Sequence, residues 1–68
     1  MESDICGHIF SGYGFVRAKI VRDGICTQIA SYAGENAYEQ CVTAFETWAD
    51  KNGYVADVFC GHAKFTEK

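Results

Sequence analysis

Residues 15–32, FVRAKIVRDGICTQIASY, decide the fold. Two runs of alternating, β-branched character, 15–22 and 25–32, flank Asp23-Gly24. A two-residue Asp-Gly link between such runs is the strongest short-range signal for a hairpin closed by a type I′ turn. The turn fixes a register in which Arg22 faces Ile25, Ile20 faces Thr27, Ala18 faces Ile29 and Val16 faces Ser31. Side chains alternate across a strand, so one face carries Val16, Ala18, Ile20, Ile25, Thr27 and Ile29. The other carries Phe15, Arg17, Lys19, Val21, Cys26, Gln28, Ala30 and Tyr32. The first set is the expected core face.

Upstream, residues 4–10 (DICGHIF) read as a short strand ending at the glycine-rich turn Ser11-Gly12-Tyr13-Gly14. Downstream, the period changes. From Asn36, the residues Ala37, Cys41, Ala44, Phe45 and Trp48 recur at three- and four-residue spacing, which predicts a helix over 36–51 with one apolar stripe. Asn36 is the expected N-cap with Glu39 at the capping-box position, and Asn52-Gly53 supplies the stop. Residues 54–60 (YVADVFC) read as a last strand, and 61–68 as a polar tail. The expected fold is α+β: a single β-β-β-α-β domain spanning 1–68, with a mainly antiparallel four-stranded sheet and the helix packed on one face.

The size suits that architecture. Sixty-eight residues, 49% hydrophobic and 15% aromatic, form one thin core, and chains this short often take added stability from a disulfide, a metal or self-association. No apolar run approaches the ~20 residues of a transmembrane helix. The N-terminus MESDICGHIF lacks a basic region and a long apolar region, so no export signal is read and a reducing cytoplasm is the expected compartment.

One tripeptide occurs twice, as Cys6-Gly7-His8 and Cys60-Gly61-His62. In an extended segment the thiol and imidazole of each triplet share a face. If the last strand runs beside the first and parallel to it, in the order 4-1-2-3, the triplets meet. Cys6, His8, Cys60 and His62 then make a two-Cys, two-His set of the composition that zinc takes in structural sites. Free thiols with ordinary histidines, and a Cys6–Cys60 disulfide, remain open alternatives. Cys41 belongs to the helix stripe and Cys26 to the outer sheet face.

Catalytic motifs are missing from the sequence. Gly12-x-Gly14 lacks the third glycine, the following helix and the Lys-Ser/Thr of a phosphate loop, and no Ser-His-Asp pattern surrounds Ser11 or Ser31. A Cys60/His62 nucleophile pair needs a pocket and an orienting third group, for which one helix on one sheet offers little room. The expectation is a binding protein and not an enzyme.

Two surfaces are candidates. The net charge of −3 is unevenly placed: residues 25–50 hold Glu35, Glu39, Glu46 and Asp50 and no Lys or Arg. On the helix, 39, 46 and 50 share a stripe, an acidic ridge suited to a basic partner surface. On the outer sheet face, Phe15, Arg17, Lys19 and Tyr32 mix aromatic and basic groups, as interface anchors and RNA-stacking sheets both do. A homodimer is one means of covering it. Three basic residues, Arg17, Lys19 and Arg22, make a weak footprint for nucleic acid, which places direct nucleic-acid binding second to a protein partner.

The pattern of 14–64 resembles that of small phage-encoded anti-CRISPR proteins. The matching features are the alternating strand ending in Arg22-Asp23-Gly24, then Ala30 and Gly34, the helix through Ala37, Cys41, Ala44 and Trp48, and the closing strand after Gly53-Tyr54. The resemblance implies an inhibitor that docks stoichiometrically on a host protein or ribonucleoprotein complex, such as a CRISPR surveillance complex, and blocks nucleic-acid recognition or nuclease recruitment. The acidic ridge is then the natural docking surface. The alternative expectation is a zinc-stabilised module that binds RNA or single-stranded DNA through its open sheet face.

Overall fold

A computed structural model describes residues 5–68. Its elements run β1 (Ile5–Gly12), β2 (Phe15–Arg22), β3 (Ile25–Ala33), α1 (Ala37–Asn52), β4 (Tyr54–Phe59) and β5 (His62–Glu67). The expected strand start at Asp4 lies outside the described residues. The sheet has five strands in the order β3-β2-β1-β5-β4, and every neighbouring pair is antiparallel. The α+β class and the single covering helix stand. The four-stranded sheet with a parallel pair is corrected, because the segment read as a polar tail is a strand. β5 inserts between β1 and β4, so β4 keeps the direction of β1 without touching it.

Three two-residue turns close the hairpins. Tyr13-Gly14, Asp23-Gly24 and Cys60-Gly61 have φ pairs of 54° and 80°, 53° and 79°, and 50° and 77°. Both central residues of a type I′ turn need positive φ, so all three have the conformation inferred for Asp23-Gly24. Tyr and Cys are poor residues for the first position, since a Cβ there meets the following carbonyl. Turn chemistry alone did not reveal the third hairpin for that reason.

The β2–β3 register agrees with the sequence reading from Arg22↔Ile25 to Lys19↔Gln28, then shifts. A bulge between Ala18 and Lys19 places Ala30, not Ile29, opposite Ala18, and Tyr32, not Ser31, opposite Val16. An extra residue on one strand reverses the facing of everything beyond it. Ala30 and Tyr32 therefore join the helix side of the sheet, where both pack half-buried against the core.

The core sits between α1 and the sheet. Phe45 and Cys41 are fully enclosed, with Ile5, Ala18, Ile20, Ala37, Ala49 and Ala63 around them. Small residues on the sheet receive the large one on the helix. A Cβ on Gly7 would lie 2.7 Å from Phe45 Cε1 and 3.0 Å from Ala63 Cβ, so glycine is the residue that lets the ring seat. At the β4–β5 end, Trp48 stacks on Tyr54 with centroids 6.0 Å apart and meets Phe65 edge-on at 5.2 Å. Asn36 flanks α1 without a side-chain cap bond, so the expected capping box does not form. Gly53, left-handed at φ 82°, ends the helix by donating its N–H to the Ala49 carbonyl.

Candidate functional site

Strand alternation and the pairing register assemble the outer sheet face. Across its middle run Gln28, Lys19, His8, His62 and Phe59, each opposite the next on the neighbouring strand. One row over lie Cys26, Val21, Cys6, Lys64 and Asp57, and on the other side Phe10 pairs with Arg17. Among the described residues no element covers this face, since α1 packs on the opposite one. Phe10, Phe15 and Phe59 are consequently 51%, 48% and 53% exposed, although each belongs to a regular strand. Lys19 Nζ rests 5.4 Å from the centre of the Phe10 ring, a cation–π contact.

Of the residues singled out on this face by the sequence, Phe15, Arg17 and Lys19 are there. Tyr32 is not: the bulge turns it toward the helix, where it lines open grooves of about 290 and 400 Å³ between α1 and β3. Phe10, Phe59 and Lys64 join the face. The alternation of Ala63 and Phe65 with His62, Lys64 and Thr66 was the available signal for Lys64. It is a period-two pattern, hidden by the small size of alanine.

The two Cys-Gly-His triplets do different things. Cys6-Gly7-His8 is mid-strand, with Gly7 turned to the core. Cys60-Gly61 is a turn, and only His62 is in a strand. His8 and His62 are direct cross-strand partners, and their Nδ1 atoms approach to 3.0 Å, one ring donating and the other accepting. Cys6 Sγ lies 3.8 Å from His8 Nε2 on the far edge of the same ring. The result is a line of donors, Cys6–His8–His62, with His8 in the middle. Among the described residues no group of three or more His, Cys, Asp or Glu side chains is placed to hold a metal ion. All four cysteines are free, Cys26 and Cys60 exposed and Cys41 buried. The Cys41 thiol donates to the Val16 carbonyl at 3.6 Å, and burial pushes its pKa up, which suits core filling and not nucleophilic work.

The acidic ridge is where the sequence put it, with one change. Glu39, Glu46 and Asp50 are exposed along α1, and Glu35 precedes it. Asp50 accepts a hydrogen bond of 2.7 Å from Lys68 Nζ, at the far end of the chain. That bond, together with the charge of Lys68, holds the Asp50 carboxyl below the usual carboxylate range. Its folded pKa is depressed, so the stabilisation from the pair is present above the ordinary carboxylate range and lost as the pH falls through the folded value. Among the described residues, Glu35, Glu39 and Glu46 make no ion pair. Among the described residues no helix is long and apolar enough to cross a membrane.

Compared with protein families, with curated proteins and with solved structures, the chain matches none. The functional reading therefore rests on the geometry above.

Proposed function

We propose that this domain is a non-enzymatic binding protein of the inhibitor type, which docks stoichiometrically on a host protein or ribonucleoprotein complex through the open outer face of its sheet. The observation that carries the proposal is the uncovered face itself: three half-exposed phenylalanines on regular strands, interleaved with Arg17, Lys19 and Lys64. Aromatic side chains and arginine are the residues that anchor interfaces. The opposite side presents Glu35, Glu39 and Glu46, so the domain offers a basic and aromatic face and an acidic ridge back to back.

A titration tests this. The protein is added to CRISPR surveillance complexes whose binding of labelled target DNA is followed by anisotropy. The expected outcome is loss of DNA binding at one or a few equivalents. Phe15→Ala with Arg17→Glu is expected to abolish the effect, and Glu39→Lys with Glu46→Lys to do so if the ridge is the docking surface. Unimpaired DNA binding at large excess overturns the inhibitor reading.

A second reading has its own observation. Because 62–67 is a strand, Lys64 joins Arg17 and Lys19 around three stackable rings, the composition of a single-strand platform. The same titration with labelled poly(U) and poly(dT) alone distinguishes it: binding that falls steeply with salt and is lost in Arg17→Ala with Lys64→Ala supports direct nucleic-acid contact.

A further inference from the structure

The structure assigns a two-point divalent-cation site to His8 and His62 on the outer sheet face, whose Nδ1 atoms lie at a separation that two metal–imidazole bonds span. The two residues come from strands 54 positions apart in sequence and face each other directly in the β1–β5 ladder. Their Nδ1 atoms are 3.0 Å apart. Metal–imidazole bonds are about 2.0–2.1 Å long, and two such bonds spanning 3.0 Å enclose about 91–97° at the metal. Near 90° is the angle between adjacent ligands in square-planar and octahedral complexes, the geometries of Cu(II) and Ni(II) with nitrogen and oxygen ligands. The site is open to solvent on the sheet surface, so water completes the shell.

The thiol set does not compete. Cys6 meets His8 at Nε2, the opposite edge of the ring from the Nδ1 that faces His62. A cation held between the Nδ1 atoms is therefore out of line with Cys6. Cys60 is a turn residue, and among the described residues its thiol makes no hydrogen bond to either imidazole. The charged groups that face the pair are Lys19 on β2, Lys64 on β5 and Asp57 on β4. Lys19 Nζ lies over the Phe10 ring, and Lys64 is the register partner of Asp57. The pair is also the sole metal-ligating side-chain couple within hydrogen-bond distance across strands among the described residues.

Such a site has a structural consequence. β1 and β5 share three ladder pairs, Cys6↔Lys64, Gly7↔Ala63 and His8↔His62, the shortest register in the sheet. A cation bound to both imidazoles replaces the hydrogen between the two Nδ1 atoms, the donating ring carrying its N–H at Nε2 instead, and it ties that end of the ladder together and binds only when the strands are paired. It must then raise the melting temperature in proportion to its binding.

Ni(II) is the probe, because Cu(II) oxidises thiols such as the exposed Cys26 and Cys60. Thermal unfolding of the purified protein is followed with Ni(II), with Zn(II) and with chelator. The expected result is a rise in melting temperature with Ni(II), retained in Cys6→Ser and Cys60→Ser. His62→Gln and His8→Gln, which keep a polar side chain at each position, are expected to weaken Ni(II) binding about tenfold or more by calorimetry, since a second ligand held nearby acts at high effective concentration. Three results overturn the assignment: no Ni(II)-dependent rise, a rise unchanged in both Gln variants, or a rise lost in Cys6→Ser. The last outcome returns the site to a thiolate-containing zinc set.

Discussion

Gly7 shows how a residue that reads as chemistry can serve packing. It sits between a cysteine and a histidine in a repeated triplet, which suggests room for a ligand. The structure turns it the other way, toward Phe45, and a methyl group there would meet the ring at 2.7 Å and Ala63 at 3.0 Å. Phe45 is fully enclosed, so the ring cannot move aside freely. Gly7→Ala is therefore expected to destabilise the fold by about 1–3 kcal/mol, the usual cost of overpacking, measured by denaturant unfolding. Phe45→Leu loses packing in the parent but is expected to cost less in the Gly7→Ala background, because the two changes compensate. Strict additivity of the two would show that the clash is relieved elsewhere.

At the level of elements, the hairpins made the sheet legible in part. Asp23-Gly24 announced β2 and β3 and their register, and the three- and four-residue spacing of Ala37, Cys41, Phe45 and Trp48 announced α1. The third hairpin was hidden because Cys60-Gly61 takes the same positive-φ path as Asp23-Gly24 without a residue that favours it. The bulge opposite Ala18 was hidden for a different reason: nothing in an alternating sequence says where a strand takes in an extra residue. Those two features account for Tyr32, Lys64 and Phe59 at the candidate site, and Phe10 shares the face through the β1–β2 register. Tyr32 left the outer face with the bulge, and Lys64 and Phe59 entered it with β5. Cys60 is a turn residue, so replacing it with asparagine, which tolerates left-handed backbone, is expected to stabilise the protein by about 1 kcal/mol. A structural zinc ligand at Cys60 gives the opposite sign in the same melting experiment, so the outcome separates the two roles.

On the scale of the whole molecule, the domain is elongated, 38 × 21 × 19 Å, and its two parts are unequally joined. β1, β2 and β3 share long ladders of eight pairs each, whereas the β4–β5 hairpin meets β1 over three pairs. Two further hydrogen bonds hold the hairpin's turn: Ile9 N–H to the Gly61 carbonyl at 2.8 Å ties it to β1, and Gly61 N–H to the Tyr38 hydroxyl at 2.8 Å ties it to α1. The rest of the attachment is to α1, through the Lys68–Asp50 ion pair and through Trp48 against Tyr54 and Phe65, and Phe65 against Phe45 at 5.8 Å. Trp48 is half-buried, so Trp48→Ala is expected to cost about 2–3 kcal/mol, at or below the low end for aromatic truncations in a core. The loss should not spread evenly. Backbone amides of 54–67 should lose hydrogen-exchange protection first and most, while those of the β2–β3 hairpin keep theirs until global unfolding. That order follows from a hairpin that depends on α1 for its attachment while β1–β3 hold one another. An equal loss of protection in 15–33 and 54–67 would show that three ladder pairs suffice to make the sheet a single cooperative unit, and that the seam between β1 and β5 is not where the molecule opens.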